Sequence, residues 1–247
     1  MRTINNIFTV LVMICNIFLI IIPLPRLFLE IAFGIELLLG IILYVYSKNN
    51  FVEKFQRRIP YLVLIYNPII LSVSISVLRL CLITKEFPIR YISILYGSNS
   101  ITNLFGIIFS ICIFVATIYF VQKCKKTIKS KCARCFEHQS EDSDKDEIDY
   151  YSEVDGTSEF LVGTLKVSIL MLCIIIVLGA VFNISMRDET FANSISYSIK
   201  NGIMFVLVLF LPLLLSSRVL LENLSQFEHI KFDRDFEFYA KYPKMRI

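Results

Sequence analysis

Charge is what this chain has least of. Only 19% of its 247 residues are charged and 56% are hydrophobic, against about 25% and roughly 45–50% in an ordinary soluble domain. From Ile4 to Pro25 there is no charged residue at all, and roughly 20 apolar residues cross the hydrocarbon of a bilayer as a helix. Too little polar sequence is left for a large water-soluble domain. Histidine is almost missing as well: His138 and His229 are the only two, both in polar segments, so no span can carry a histidine-based centre. Glycine-rich phosphate loops, His-Glu-x-x-His, Gly-x-Ser-x-Gly and internal repeats are absent too, which argues against an enzyme. The seven cysteines are scattered. Cys15, Cys81, Cys112 and Cys173 lie in apolar runs, and Cys124, Cys132 and Cys135 in a Lys-rich segment, which is no disulfide framework.

What the chain has is apolar runs, with a mean hydropathy of +0.67. Six candidate spans follow, at 4–25, 27–46, 59–83, 101–121, 161–186 and 202–221, making an all-α polytopic transmembrane helical bundle. The first run is longer than a signal-peptide core, ends in prolines and lacks a small-residue cleavage site, so it reads as a retained helix. Pro23-Leu24-Pro25-Arg26 turns it into the second span, since proline stops one helix and starts the next. Four regions result: a four-span part at 1–121, a charged cytosolic loop at 122–160, a two-span part at 161–221 and a tail at 222–247. With both termini cytosolic, the inner segments hold 18 Lys and Arg and the outer ones 5, as the positive-inside rule requires. The loop runs from basic to acidic and reads as partly ordered. The tail reads as an interfacial amphipathic segment or a frayed end.

Glu30 and Glu36 on the second span and Arg79 on the third are charges where charge is costly, by a few kcal/mol on insertion scales. They are candidates for an ion or proton path; otherwise the carboxylates pair with Arg79 or Lys166, or Glu30 simply lies near the interface after the hairpin. Asp155-Gly156-Thr157-Ser158 reads by itself as a turn and helix cap. Cys124, Cys132, Cys135 and His138 offer four soft ligands in a short stretch, but their spacing matches no standard zinc finger. Free thiols and no metal are the expectation there, and no cofactor is expected. The basic stretch Lys123 to Arg134 abuts a span, so membrane lipids and not nucleic acid are its expected partner.

The order of several short motifs resembles the membrane part of the FHIPEP family, the large inner-membrane subunits of the flagellar and type III secretion export gate. Ile22-Pro23-Leu24-Pro25 with Glu30, then Ile59-Pro60, then Leu78-Arg79-Leu80 resemble the family's proline hairpin, Phe-Pro-Thr and Thr-Arg-Leu elements. The stretch from Tyr150 through Asp155, Gly156 and Phe160 is similar to its Tyr-Gly-Ala-Met-Asp-Gly-Ala-Ser-Lys-Phe. Lys123 and Ala133-Arg134, then Asn201-Gly202, then Leu211-Pro212 fall in matching order, over roughly residues 20 to 220. The resemblance implies a bacterial inner-membrane protein in a homo-oligomeric ring with other export-apparatus subunits, Asp155 coupling proton flow to export. Departures are Ile70 in place of an Arg, Glu159 and Thr164 in place of a basic and an acidic residue, and Cys135 to Asp149 in place of a Met-Pro-Gly-Lys-Gln stretch. The family's last two spans and large cytosolic domain have no counterpart here, so a divergent or reduced relative is expected. A small ion or solute transporter, or a non-conducting assembly factor derived from the family, are the alternatives.

Overall fold

The computed structural model describes residues 25–48, 56–84, 87–96, 100–137 and 145–241. These form six helices and no strand: α1 (Arg26–Lys48), α2 (Ile59–Ile83), α3 (Arg90–Leu95), α4 (Ser100–Glu137), α5 (Lys145–Arg187) and α6 (Phe191–Lys241). All but α3 are long and apolar enough to cross a membrane, so the fold is the helical membrane bundle expected. The candidate span 4–25 lies outside the described residues apart from Pro25, whose carbonyl accepts the amides of Phe28 and Leu29 and so begins α1.

The helices alternate in direction. One end, named the outer end after the charge bias of the sequence, gathers Arg26, Ile83 and Arg187. Arg26 donates from Nε to Pro88 O and from Nη2 to Phe87 O, both at 3.0 Å. Arg187 donates to Ile83 O at 2.8 Å and Leu82 O at 3.5 Å, filling carbonyls left open where α2 stops. The α5–α6 turn is only three residues long, and Asp188 in it takes a left-handed φ of 49°, a conformation Asp tolerates better than most residues.

Centre and rim are readable from composition. Met204 to Phe210 are apolar and buried without interruption, and a helix apolar all round must be surrounded. Accordingly α6 packs against α1, α2, α4 and α5, and 72% of its spanning window is buried against 22% for α1, α4 and α5. Those three turn Leu, Ile, Val and Phe outward, as lipid-facing helices do. Lipid tails are as apolar as Leu, so apolar burial alone does not hold such a bundle together; close approach and polar ties do. Gly40 supplies one such approach: a Cβ there would sit 2.7 Å from Tyr66 Oη and 3.0 Å from Leu215 Cδ1. Gly202 supplies another, 2.8 Å from Ile176 Cγ1.

Two sequence expectations change. Residues 122–137 and 145–160 are not a partly ordered loop but continuous extensions of α4 and α5, and α6 continues through the first part of the tail as helix to Lys241. At about 1.5 Å per residue these helices are roughly 57, 65 and 77 Å long, against a hydrocarbon core of about 30 Å. Because the outer ends are level, the excess projects from the inner end as a three-helix stem. It forms because an apolar stripe survives the charges: Val121, Cys124, Ile128 and Cys132 on α4 are buried, as are Tyr150, Val154 and Leu161 on α5. Lys125 Nζ closes one side on Glu159, 2.8 Å from Oε1.

Candidate functional site

The four charged candidates do not form one cluster. Glu30 sits at the outer end, where its Oε1 accepts the Arg90 amide at 2.8 Å and lies 3.9 Å from Arg26 Nε and 4.0 Å from Arg90 Nε. Its partners are thus Arg26 and Arg90 and not Arg79 or Lys166, pairings the sequence left open. Tyr91 on α3 donates to the Glu30 backbone carbonyl. Burial first, and then the Glu30 carboxylate, raises the Tyr91 phenol above its ordinary value. Arg79 is exposed on α2 and lines an apolar groove of 610 Å³ between α2 and α5, with Leu78, Leu82, Leu178, Val181 and Phe182.

Glu36 is different. It stands on the stripe Leu29, Phe33, Glu36, Gly40 that α1 presents to the bundle, and it is wholly buried. Neither carboxyl oxygen has a hydrogen-bond partner among the described residues. The nearby Tyr66 hydroxyl donates at 2.8 Å to the Glu36 backbone carbonyl, not to its side chain. About 15 Å along the axis from Arg26, Glu36 lies near the middle of the hydrocarbon, where an unpaired carboxylate costs about 3 kcal/mol on insertion scales. Asn67 Oδ1 and the hydroxyls of Ser74, Ser168, Ser194, Ser198 and Ser216 are also buried without a partner among the described residues. The sequence reading passed over these, although polar residues inside apolar runs were the available signal.

Asp155 belongs to the interior of α5, not to a turn or cap, and is half-buried. Its neighbours face the core: Thr157 Oγ1 donates to Pro60 O at 3.3 Å and to Glu153 O at 2.7 Å, and Ser158 Oγ donates to Asp155 O at 2.9 Å. Pro60 occupies the first turn of α2, where its missing N–H is no loss. A Cβ on Gly156 would meet nothing within 4 Å, and Phe160 is exposed. Pro212 lies inside α6. Pro23 and His138 are outside the described residues, as are the side chains of Arg134 and Cys135.

One more polar tie, unforeseen from sequence, joins the residues just ahead of α2 to α5 and α6. Asn223 Nδ2 donates to Gln56 Oε1 at 2.6 Å and Gln56 O at 3.0 Å, while Tyr150 Oη donates to Asn223 Oδ1 at 2.8 Å. Tyr150 stacks on Phe227 with centroids 3.8 Å apart, and Arg57 lies over the same ring at 5.8 Å. Cys132 Sγ faces Tyr151 O at 3.5 Å, while Cys124 is buried in the core. Among the described residues no group of His, Cys, Asp and Glu is placed to hold a metal ion. Compared with protein-family models, with curated proteins and with solved structures, the chain matches none.

Proposed function

We propose that this chain is an integral membrane component of a protein-export gate of the flagellar or type III secretion kind, seated in a bacterial inner membrane with its stem and both termini in the cytosol. The observation that carries the reading is the Thr157–Pro60 hydrogen bond, 97 residues apart in sequence. It joins Ile59-Pro60, one element of the first block of the motif resemblance, to the second block, Tyr150 to Phe160. Other positions in the resemblance also fall where the architecture needs them: Pro25 opens α1, Gly202 permits the approach of α5 to α6, and Pro212 lies in the central helix. Gly156 and Phe160 face outward, the placement expected of positions that a neighbouring copy in a ring would cover.

In this reading Glu36 and Asp155 are the carboxyls available to couple proton movement to export. A second reading, a small ion or solute transporter, draws on Glu36 alone, because a buried carboxyl without a partner among the described residues is relieved by a proton or a bound cation.

The test is detergent extraction of native membranes and affinity purification of the tagged chain. Recovery in a complex of several copies with other export-apparatus subunits, and loss of export in Asp155→Asn, are expected. A lone monomer, with export unaffected by Asp155→Asn, would refute the export-gate reading. Ion flux in vesicles that Glu36→Gln abolishes would then select the transporter.

A further inference from the structure

The Glu36 carboxyl has no hydrogen-bond partner among the described residues, and one turn outward along α1 the Tyr91 ring of α3 lies over Phe33. Building on the reading of Glu36 as an ion-coupling carboxyl, and independently of the export complex, we propose that Glu36 binds a single proton and exchanges it with the outer face by a route that Tyr91 closes.

The ion follows from what surrounds the carboxyl. A buried charge without a partner is costly in hydrocarbon, and one proton removes it without adding volume. A metal ion takes several oxygen ligands at once. Among the described residues Glu36 belongs to no group of His, Cys, Asp and Glu placed to hold one. Room is short as well. One turn inward, a Cβ on Gly40 would lie 2.7 Å from Tyr66 Oη and 3.0 Å from Leu215 Cδ1, so α1, α2 and α6 touch there and leave little space for a hydrated ion.

The side follows from the two walls. Inward, the contact at Gly40 and the Tyr66 hydroxyl, which donates to the Glu36 backbone carbonyl at 2.8 Å, bind three long helices together. Outward, the next residue on the buried stripe of α1 is Phe33, and the Tyr91 ring stacks on it with centroids 6.2 Å and planes 14° apart. Phe33 is 2% exposed and Tyr91 is 45% exposed, so Tyr91 stands between the stripe and the water. It belongs to a helix of only six residues. That helix is tied to α1 by Tyr91, which donates to the Glu30 backbone carbonyl, and by the Arg90 amide, which donates to Glu30 Oε1. Exposed bonds of this kind exchange for water locally, whereas parting three long packed helices does not happen without disrupting the bundle. The outer wall is therefore the one that opens at lower cost. Electrostatics agree: burial, then the Glu30 charge and then that of Glu36 raise the Tyr91 phenol, so the carboxyl lies within electrostatic reach of the ring that shields it. Arg26, Glu30 and Arg90 stand at the mouth of this route.

The experiment uses the full chain in sealed vesicles of known orientation and two carbodiimides, which add to a protonated carboxyl, with peptide mass spectrometry to locate the adduct. Hydrophobic dicyclohexylcarbodiimide should modify Glu36 in wild type, and sodium ions should not protect it. A water-soluble, membrane-impermeant carbodiimide added on the outer side should modify Glu36 about tenfold faster in Tyr91→Ala, the upper end for losing one aromatic pair. Tyr91→Phe, which keeps the ring, should gain less, and Tyr66→Phe, at the inner wall, should gain nothing. Added on the inner side, the same reagent should stay slow in Tyr91→Ala. No reaction of Glu36 with the hydrophobic reagent would overturn the proton site and the ion-coupling reading of Glu36 with it. Protection by sodium would assign the site to a metal cation and overturn the proton. Wild-type rates in Tyr91→Ala, or equal acceleration from both sides, would overturn the outer route and leave the ion-coupling reading of Glu36 standing.

Discussion

Replacing Asn223 by alanine should open the inner end of the bundle. The side chain is fully buried and satisfies three groups at once: Gln56 Oε1, Gln56 O and Tyr150 Oη. Asn223 lies roughly 48 Å along α6 from Phe191, beyond the hydrocarbon, so the state it stabilises is weighed against exposure to water. Each hydrogen bond lost costs about 0.5–1.5 kcal/mol net. Polar ties inside a membrane bundle average about 0.6 kcal/mol, which sets a floor. The sum is about 3 kcal/mol, on the order of 100-fold in the opening equilibrium. Cys132 reports that opening directly, because its thiol is buried against Tyr151 O in the same stem. Site-resolved maleimide labelling of Cys132 in mild detergent should accelerate by that factor in Asn223→Ala, and Tyr150→Phe, which orphans only Asn223 Oδ1, should have a smaller effect. A labelling rate within threefold of wild type would refute the reasoning.

Other substitutions test other parts of the account. Gly156→Ala puts a methyl group into open space in a helix interior, so thermal denaturation should show a gain of about 0.5–1 kcal/mol; if export falls in the same variant, the glycine serves function and not packing. Gly202→Ala pushes against Ile176 Cγ1 at 2.8 Å and should cost about 1–3 kcal/mol, measured as a lower melting temperature in detergent. Glu36→Gln removes a charge that has no partner among the described residues, so it should leave melting unchanged or raise it. A drop of several degrees would mean that a protein group pairs with the carboxylate. Lys125→Ala breaks an exposed ion pair with Glu159 and should shift stability by less than about 1 kcal/mol, checked by the same melt.

The spans were legible because a charge-free run has few other uses: α2 begins and ends at the residues its apolar stretch marks, Ile59 and Ile83. The stem was hidden by the same criterion. Lys123 to Lys131 and Asp149 to Glu159 outweigh the apolar residues when composition is averaged, yet Cys124, Ile128 and Cys132 recur at helical spacing and share one buried core with Tyr151 and Val154. Asp155-Gly156 reads locally as a turn, but packing of Thr157 and Leu161 on the bundle overrides local preference and keeps the helix running. Pairing of charges could not be read from spacing at all. Glu30 finds Arg90, 60 residues away, only because α3 folds back over the start of α1, and a short helix of six residues leaves almost no mark in sequence.

The central claim is that the α4–α5 stem and the α5–α6 turn lie on opposite sides of a membrane. Single cysteines at Lys129 and Thr190, both exposed, in a chain otherwise free of cysteine, test it with a membrane-impermeant maleimide on intact cells. Thr190→Cys should label at once, and Lys129→Cys only after permeabilisation. Labelling of both from the same side would contradict the account.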